Sequence, residues 1–295
     1  MKVFVTGATG FIGTAVVKEL QSNGHQVIGL ARSDKTAELL KKMGADVHRG
    51  SLEDLESLTE GATAADGVIH LAFDNNSFDD FEKILITDQV AIETIGKALA
   101  GSGKPFVSTS VTTMLTTDGT PSTEDMSAVE GTPGFPRSGA ENKVISLAQQ
   151  GVRSVAVRLA PCVHDNTSQG FATALSYLAR EKGISAYAND GLNHWPAIHR
   201  NDVASLFRLA LESAPAGTTL HGVGEEGILF RDIAKAIGDK FNLPVESISN
   251  ETVGEHFGWL TTFVTFDNFV SSKKTQELLN WQPKGASLIT DIENS

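Results

Sequence analysis

Three glycines near the start of the chain have the spacing of a phosphate-binding turn. Gly7, Gly10 and Gly13 follow a short apolar run at residues 2–6, and from Phe11 onward apolar residues recur at helical spacing. Backbone N–H groups at a helix N-terminus can bind the pyrophosphate of a dinucleotide when no side chain is in the way. We therefore predict a strand, a turn that binds a dinucleotide, and a helix. A glycine-rich turn that binds nothing is the alternative.

The end of the next predicted strand, residues 25–30, distinguishes between the two nicotinamide dinucleotides. An NAD site usually has a carboxylate here, which accepts hydrogen bonds from the ribose hydroxyls. This chain has Arg32 and Ser33 instead, and no carboxylate before Asp34. Because an arginine can pair bidentately with a 2′-phosphate, we expect NADP(H) to be preferred, with NAD(H) possible. Alternatively, Arg32 is a solvated charge or stacks on adenine. The residues expected around the dinucleotide so far are Gly7, Thr9, Gly10, Phe11, Ile12, Gly13, Arg32 and Ser33.

Alternating strand-like and helix-like segments predict the fold that positions these residues. Strands are expected at residues 2–6, 25–30, around 47, 67–71, 105–109 and 152–159, and a long helix at 83–100. This alternation is typical of an α/β, Rossmann-type doubly wound parallel sheet. Later elements are shorter, with helices expected at 201–212, 230–241 and 272–279. We predict a dinucleotide-binding domain over 1–160 and a small substrate-binding lobe over 161–295, interleaved with the end of the sheet.

Composition narrows the class of protein further. The 295 residues carry a net charge of −12 without a Lys/Arg cluster, which argues against a nucleic-acid partner. The single cysteine, Cys162, excludes an internal disulfide and lacks the neighbours of a zinc site, so we expect no metal. A strand beginning at residue 2 and the lack of long apolar runs predict no signal peptide and no membrane segment. We therefore expect a cytoplasmic protein.

Further motifs along the chain share a pattern with one enzyme superfamily. They are Gly-Ser-Leu-Glu-Asp at 50–54, Val-Ile-His-Leu-Ala at 68–72, Arg-Leu-Ala-Pro at 158–161 and His-Arg-Asn-Asp-Val-Ala at 199–204. With the glycine turn, they resemble the extended, NAD(P)-dependent epimerase/dehydratase-like branch of the short-chain dehydrogenase/reductase superfamily, over nearly the whole chain. The resemblance implies a small-molecule substrate and a monomer or homodimer. It also implies cofactor contacts from Ser51, Leu52, Leu71, Ala72 and Pro161.

The expected catalytic helix departs from this family's pattern. The family uses Tyr-x-x-x-Lys, in which the lysine lowers the pKa of the tyrosine and holds the ribose while the tyrosine passes a proton to the substrate. Lys143 matches the lysine and is expected to contact the cofactor, but Gly139 stands at the tyrosine position, and both tyrosines lie beyond this helix. Alternatively, Ser138 and Glu141 form a capping box and Lys143 is a solvated charge. A separate alternative is that Arg137 and Glu141, four residues apart, simply pair.

Other side chains could still assist hydride transfer, which needs an oriented substrate and a group that stabilises the developing oxyanion. Ser110 matches the family serine that hydrogen-bonds the substrate oxygen, and Thr112 would add a second hydroxyl. His164 falls where the family often has an aromatic residue, and its imidazole could replace the missing phenol as proton donor. Packing or backbone hydrogen bonding is the alternative for all three. The substrate pocket is expected to include Phe73, Asp74, Thr112, Met114, His164, Trp195 and His199.

These observations favour an NADPH-dependent oxidoreductase that reduces a carbonyl or imine of a small organic substrate. The missing tyrosine motivates a different hypothesis, a non-catalytic NADP(H)-binding sensor or regulator. The branch resemblance motivates a third, a nucleotide-sugar epimerase or dehydratase, although that chemistry also depends on the tyrosine.

Overall fold

A parallel sheet forms the centre of the molecule. The computed structural model describes residues 1–73, 80–167 and 169–295. Within that part of the chain the sheet has seven strands: β1 (Lys2–Thr6), β2 (Gln26–Ala31), β3 (Asp46–Arg49), β4 (Gly67–His70), β5 (Pro105–Val111), β6 (Arg153–Leu159) and β10 (Thr218–Gly222). They lie side by side in the order β10-β6-β5-β4-β1-β2-β3. The direction of the crossovers reverses between β1 and β4, and ligands of such sheets bind at the carboxyl ends of the strands at that point.

Helices cover both faces of this sheet. They are α1 (Phe11–Ser22), α2 (Asp34–Lys42), α3 (Leu55–Thr63), α4 (Phe81–Leu99), α5 (Ser138–Ser146) and α7 (Arg200–Ser213). Successive side chains of a strand point to opposite faces, so Val3 and Val5 belong to one apolar core and Phe4 to another. The first core includes buried residues of α1 and α7, and the second includes buried residues of α3 and α4. The predicted Rossmann-type sheet is confirmed.

The later part of the chain adds a smaller lobe with its own core. Its strands are β7 (Cys162–His164), β9 (His194–His199) and β11 (Glu225–Leu229) in one sheet, and β8 (Ser185–Ala188) and β12 (Val245–Ile248) in another. Its helices are α6 (Phe171–Lys182), α8 (Phe230–Phe241), α9 (Val253–Phe257), α10 (Thr261–Val264) and α12 (Leu288–Asn294), whereas α11 (Lys273–Leu279) packs against α7 and against β10 of the central sheet. Between these elements the chain returns to the central sheet to form α7 and β10. No helix of the described ranges is both long and apolar enough to cross a membrane.

The start of α5 decides between the two interpretations of this segment. The helix begins at Ser138, but no side chain makes a capping hydrogen bond there, so the alternative of a capping box formed by Ser138 and Glu141 does not hold. The carboxylate of Glu141 turns inward instead and accepts two hydrogen bonds from the buried Arg158, at 2.6 Å from Nη2 and 2.9 Å from Nε. Leaving the buried charge of Arg158 unpaired would cost far more free energy than leaving an N–H group at the start of α5 uncapped. Glu141 therefore pairs with Arg158.

Candidate functional site

The three glycines of the turn between β1 and α1 have different roles. Gly7 has a φ of +70°, and a Cβ on it would lie 2.7 Å from the backbone nitrogen of Ala72. A Cβ on Gly13 would lie 2.0 Å from the carbonyl oxygen of Gly7. Packing therefore requires both of these glycines. Gly10 has a φ of −75° at the start of α1, where no side chain caps the helix. Its Cβ would meet only the oxygen of Gly7, at 3.3 Å, so the fold does not require glycine there.

A cleft of about 550 Å³ passes over this turn at the carboxyl ends of β2, β1 and β4. That volume is ordinary for a small-molecule or cofactor site. Strand order places the lining residues in sequence along the cleft, with Arg32, Ser51 and Leu52 at one end, Gly7, Thr9 and Gly10 in the middle, and Ala72, Phe73 and Asp88 at the other. The N-terminus of α1 has no side-chain cap, and Gly10 at that position has no side chain to block it. Such a helix start can bind the pyrophosphate of a dinucleotide.

The β2 end of the cleft carries a positive charge without a counterion. Arg32 is exposed and has no ion-pair partner among the described residues. Asp34, the first carboxylate after β2, accepts a hydrogen bond from Arg49 Nη2 at 2.6 Å. Ser33 caps α2 by accepting from the backbone N–H of Thr36 at 3.2 Å. Of these groups, the guanidinium of Arg32 is the one that remains available to a ligand.

A chain of buried polar side chains connects the glycine turn to the other end of the cleft. Thr6 Oγ1 lies 2.8 Å from His70 Nδ1 and accepts from the backbone N–H of Ala72 at 3.3 Å. His70 Nε2 donates to Asp88 Oδ1 at 3.1 Å. The other carboxylate oxygen of Asp88 lies 3.4 Å from Arg137 Nη2. Thr6, His70 and Asp88 are each at most 2% exposed, so their positions are fixed by these contacts.

Arg137 does not line the cleft but lies behind this end of it, in contact with the lining residues Phe73 and Asp88. It closes a short 3-10 turn, Phe135–Arg137, immediately before α5. Its Nη2 donates to the carbonyl oxygen of Thr109 at 3.1 Å, and its guanidinium lies 4.0 Å from the ring centroid of Phe73. Burial lowers the pKa of Arg137, and Asp88 acts in the opposite direction. The alternative in which Arg137 pairs with Glu141 does not hold, because Arg137 pairs with Asp88 and Glu141 with Arg158.

Sequence reasoning missed both Asp88, which lines the cleft, and its partner Arg137. A signal was present, because Arg158 sits in a strand expected to be buried and a buried guanidinium needs a carboxylate partner. Assigning Glu141 to Arg158 would have left Arg137 free to face elsewhere. Nothing in the sequence indicates that Asp88, 49 residues from Arg137, is the group it meets.

Lys143 lies away from the cleft, contrary to the family-based expectation. Its ammonium group pairs with Glu93 of α4, and its side chain is 35% exposed. Gly139 also faces α4, since a Cβ there would lie 3.0 Å from Gln89 Nε2. Neither residue lines the cleft. The helix turns these two positions toward its neighbour, because residues four apart share one face of a helix.

Ser110 is buried with its hydroxyl unused, and it is not among the residues that line the cleft. The residue is 2% exposed, and its Oγ has no hydrogen-bond partner among the described residues. It directly follows Thr109, whose carbonyl oxygen holds Arg137. Thr112 and Met114, predicted as pocket wall, are instead fully buried. Thr112 Oγ1 donates to Asn268 Oδ1 at 2.8 Å, which ties it to the smaller lobe.

The predicted site residues of the smaller lobe are not brought to the cleft. His164 lines a separate cavity of about 170 Å³, where its Nδ1 donates to Asp291 at 2.7 Å. Burial lowers the pKa of His164, although Asp291 acts in the opposite direction. The ring of His199 packs edge-on against it, with centroids 5.7 Å apart. This placement does not support His164 as proton donor.

Trp195 corrects another expectation, because it belongs to a core and not to a pocket wall. It is 1% exposed, its Nε1 donates to the carbonyl oxygen of Phe263 at 3.0 Å, and its ring packs against Phe230 with centroids 5.1 Å apart. An apolar ring whose N–H finds a backbone partner is well satisfied inside a core.

Phe73 does line the cleft, and Asp74 lies outside the described residues. The remaining predicted cofactor contacts that are not among the lining residues are Phe11, Ile12, Gly13, Ser33, Leu71 and Pro161.

A model of the NAD dependent epimerase/dehydratase family matches residues 3–221 of this chain. Over 99% of its length the chain is 43% identical to an uncharacterized protein of Schizosaccharomyces pombe, of which it covers 98%. It is 28% identical to the decarboxylating sterol-4-alpha-carboxylate 3-dehydrogenase of Dictyostelium discoideum, over 81% of this chain and 75% of that protein. The solved structure of a dTDP-glucose 4,6-dehydratase from Streptomyces venezuelae with NAD and TYD bound shares the fold. Its TM-score is 0.79 at 16% identity, with 99% of this chain and 95% of that chain covered. The chain belongs to the NAD dependent epimerase/dehydratase family, in the extended branch of the short-chain dehydrogenase/reductase superfamily.

Proposed function

We propose that this protein is an NADPH-dependent oxidoreductase that reduces a carbonyl or imine group of a small organic substrate. The observation that carries the proposal is the cleft that joins the glycine turn at Gly7 and Gly10 to Arg32, which has no counterion among the described residues. A 2′-phosphate on the adenosine ribose would supply the missing partner of Arg32. The Dictyostelium relative, named as a dehydrogenase, supports redox chemistry.

A bound nicotinamide supplies the hydride, and the chain has to orient the acceptor and handle the charge that develops on it. Ser110 is suited to the first task, because its buried Oγ has no other partner and can donate to a carbonyl oxygen or imine nitrogen. The positions of Lys143 and His164 do not support either as the proton donor. We infer that the proton comes from water or from the substrate, since an iminium arrives already charged. General acid catalysis is worth about 10²–10⁴-fold, so we expect slow turnover of simple ketones.

We further propose that residues 1–160 bind the dinucleotide and that the smaller lobe within 161–295 forms the substrate side. The hydrogen bonds between Thr112 and Asn268 support this division, because they hold the lobe against the loop that follows Ser110. A substrate lying between the two parts would then meet Ser110 and Phe73.

The cofactor part of the proposal predicts that Arg32→Ala weakens NADPH binding much more than NADH binding. Hydrogen bonds to charged groups are worth about 1.5–3 kcal/mol, which corresponds to a loss of about 10- to 150-fold in NADPH affinity. Isothermal titration calorimetry measures both affinities. Lys35→Ala is the matched control, since it removes a neighbouring cation that does not line the cleft. Equal affinities of the wild type for NADPH and NADH would contradict the preference.

The reaction itself is tested by offering aldehydes, ketones, imines and nucleotide sugars with NADPH. We expect oxidation of NADPH with a restricted set of carbonyl or imine substrates, and a lower rate in Ser110→Ala. Tight NADPH binding without turnover of any substrate would favour a sensor or regulator instead. Conversion of a nucleotide sugar without net consumption of NADPH would favour an epimerase or dehydratase.

A further inference from the structure

Arg200, the first residue of α7, lies across the first turn of α1. Its guanidinium carbon is 4.7 Å from the ring centroid of Phe11, and its Nη2 donates to the hydroxyl of Thr14. That hydroxyl donates in turn to the carbonyl oxygen of Phe11 at 3.3 Å. The arginine therefore contacts both ends of a single helical turn, from Phe11 to Thr14.

This turn contains the backbone N–H groups that a bound phosphate would use. The N–H of Thr14 donates to the carbonyl oxygen of Gly10 at 3.0 Å. The N–H groups at residues 11–13 precede this bond and have no acceptor within the helix. They follow directly on Gly10, which lines the cleft. Their direction depends on the backbone between Phe11 and Thr14, and this is the segment that Arg200 contacts.

Asp165 holds the guanidinium in this position from the side of the smaller lobe. It follows β7, and its Oδ2 accepts from Arg200 Nη1 at 2.8 Å. Its Oδ1 accepts from the backbone N–H of Thr167 at 2.8 Å. Burial raises the pKa of Asp165, but hydrogen bonds from Thr167 and Arg200 outweigh burial and leave the pKa below its ordinary value. The side chains of Arg200 and Asp165 are 19% and 11% exposed, so salt screens this pair weakly.

Arg208 makes the same kind of contact between the same two helices, but toward the other end of α1. Its Nε donates to Glu19 at 2.7 Å, and its side chain is 18% exposed. Glu19 lies about 13 Å along the helix from Gly10, given the rise of an α-helix. A comparison of the two arginines therefore separates an effect on helix packing from an effect on the first turn of α1.

We propose that Arg200, held by Asp165, is a positioning residue for cofactor binding, which fixes the first turn of α1 so that its free N–H groups stay directed at the pyrophosphate. Arg200 does not line the cleft, so it acts through Phe11 and Thr14 and does not touch the ligand. This inference rests on the proposed NADPH dependence. The pair also connects this turn to the smaller lobe, since Asp165 belongs to that lobe.

The test compares two ligands, one of which lacks the pyrophosphate. NADPH contains it, whereas 2′-AMP contains only adenosine and the 2′-phosphate. Arg200→Met keeps an apolar contact with Phe11 and removes the polar contacts to Thr14 and Asp165. We expect it to weaken NADPH binding about 3- to 30-fold by calorimetry, the range typical of residues that act on a site without touching the ligand. The affinity for 2′-AMP should not change.

Arg208→Met is the matched control, because it removes a contact of the same kind between α7 and α1. It should lower the melting temperature to a similar extent as Arg200→Met but leave the affinity for both ligands unchanged. A role confined to holding the two helices together would give the two variants the same NADPH affinity.

Substitutions of Thr14 keep the inference testable if Arg200→Met does not fold. Thr14→Ala removes the hydroxyl that Arg200 contacts, and alanine is the best helix former, so this variant should fold. It should show the same selective loss of NADPH affinity. Thr14→Ser keeps the hydroxyl and should bind NADPH like the wild type.

Several outcomes would overturn the role of Arg200 while the proposed function survives, because the wild type binds NADPH in all of them. These are an unchanged NADPH affinity in folded Arg200→Met or in Thr14→Ala, an equal loss of affinity for NADPH and 2′-AMP, and an equal loss of NADPH affinity in Arg208→Met. If the wild type binds neither ligand, the proposed NADPH dependence fails and this inference fails with it.

Discussion

Arg137 and Arg158 show that the partners of a buried cation decide its role. Arg158 is 4% exposed and its donors are occupied, with Glu141 bound bidentately and the carbonyl oxygen of Met126 at 2.9 Å. Such an arrangement stabilises packing and leaves nothing for a ligand. Arg137 is nearly as buried, but its Nε is unpaired among the described residues. Arg158 is thus fully paired within the protein, whereas Arg137 keeps an unpaired donor among the described residues.

A second buried residue, His221 of β10, predicts that the free energy of unfolding depends on pH. Its Nδ1 donates to the carbonyl oxygen of Ser271 at 2.8 Å, and burial, assisted by the charge of Arg158, lowers the pKa of His221 to about 4. An unfolded histidine takes up its proton near pH 6.5. Between these values the unfolded state binds more protons, so the free energy of unfolding falls as the pH is lowered from about 6.5 toward 4 and is unaffected above that range.

Urea unfolding at pH 7 and at pH 4.5 checks this prediction. His221→Asn keeps a donor for Ser271 and removes the titrating ring. It should lose less stability than the wild type on acidification, by at most about 3 kcal/mol from the difference between the two pKa values. Identical losses of stability in the two proteins would show that His221 does not contribute.

At the scale of elements, the turn between β1 and α1 separates the requirements of the fold from those of a ligand. Gly7 and Gly13 face backbone atoms at less than 3 Å from their absent Cβ positions, whereas Gly10 faces only one oxygen, at 3.3 Å. The turn thus packs through its first and last glycines and remains open at the middle one. Open backbone at a helix start is the part of the turn that a phosphate can use.

This difference predicts opposite effects for two substitutions in one turn. Gly13→Ala should lower the melting temperature, because its Cβ would overlap the backbone and overpacking costs about 1–3 kcal/mol. Gly10→Val should melt near the wild type but lose NADPH binding, since its side chain occupies the phosphate position. Thermal unfolding with and without NADPH measures both effects. Gly254→Ala is the control, because its Cβ would meet nothing within 4 Å. Stabilisation of Gly10→Val by NADPH would show that the phosphates bind elsewhere.

At the scale of the whole molecule, residues 267–271 connect the smaller lobe to the loop after β5. Asn268 donates from its Nδ2 to the carbonyl oxygen of Thr112 and accepts from the Thr112 hydroxyl. Ser122 donates from its backbone N–H to Phe269, and Ser271 donates in turn to Ser122. Because Ser110 lies one residue before the end of β5, its position depends on this loop and therefore on the lobe as well as on β5.

We therefore predict that Asn268→Ala affects stability and turnover but not cofactor affinity. It leaves the buried hydroxyl of Thr112 without a partner, which costs about 1–3 kcal/mol of unfolding free energy. Turnover should fall because the segment beyond Ser110 loosens, while the NADPH affinity should stay within twofold, since neither Asn268 nor Thr112 lines the cleft. Urea unfolding, steady-state kinetics and calorimetry measure the three effects. Asn294→Ala, which removes an exposed hydrogen bond to Thr290, is the control. A large loss of NADPH affinity in Asn268→Ala would contradict this separation of roles.

The central sheet and the β2 side of the cleft could be predicted from the sequence. The strands and helices lie within a few residues of their expected positions, because buried parallel strands and amphipathic helices have different local periodicities. The glycine spacing and the exposed Arg32 depend on neighbours in the chain and on the fixed topology of a βαβ unit. Local patterns were therefore sufficient for the fold class and for the turn over which the cleft passes.

On the β4 side of the cleft, Ala72 and Phe73 line the site as expected, but the placement of Lys143, Gly139 and Asp88 was decided by tertiary structure. Periodicity places Lys143 and Gly139 on one face of a helix, but only packing determines that this face meets α4. Arg137 pairs with Asp88 because Arg158 already holds Glu141 and because Asp88 is fixed by contacts from β4. The free energy of a buried charge depends on partners far away in sequence, and no local pattern contains them.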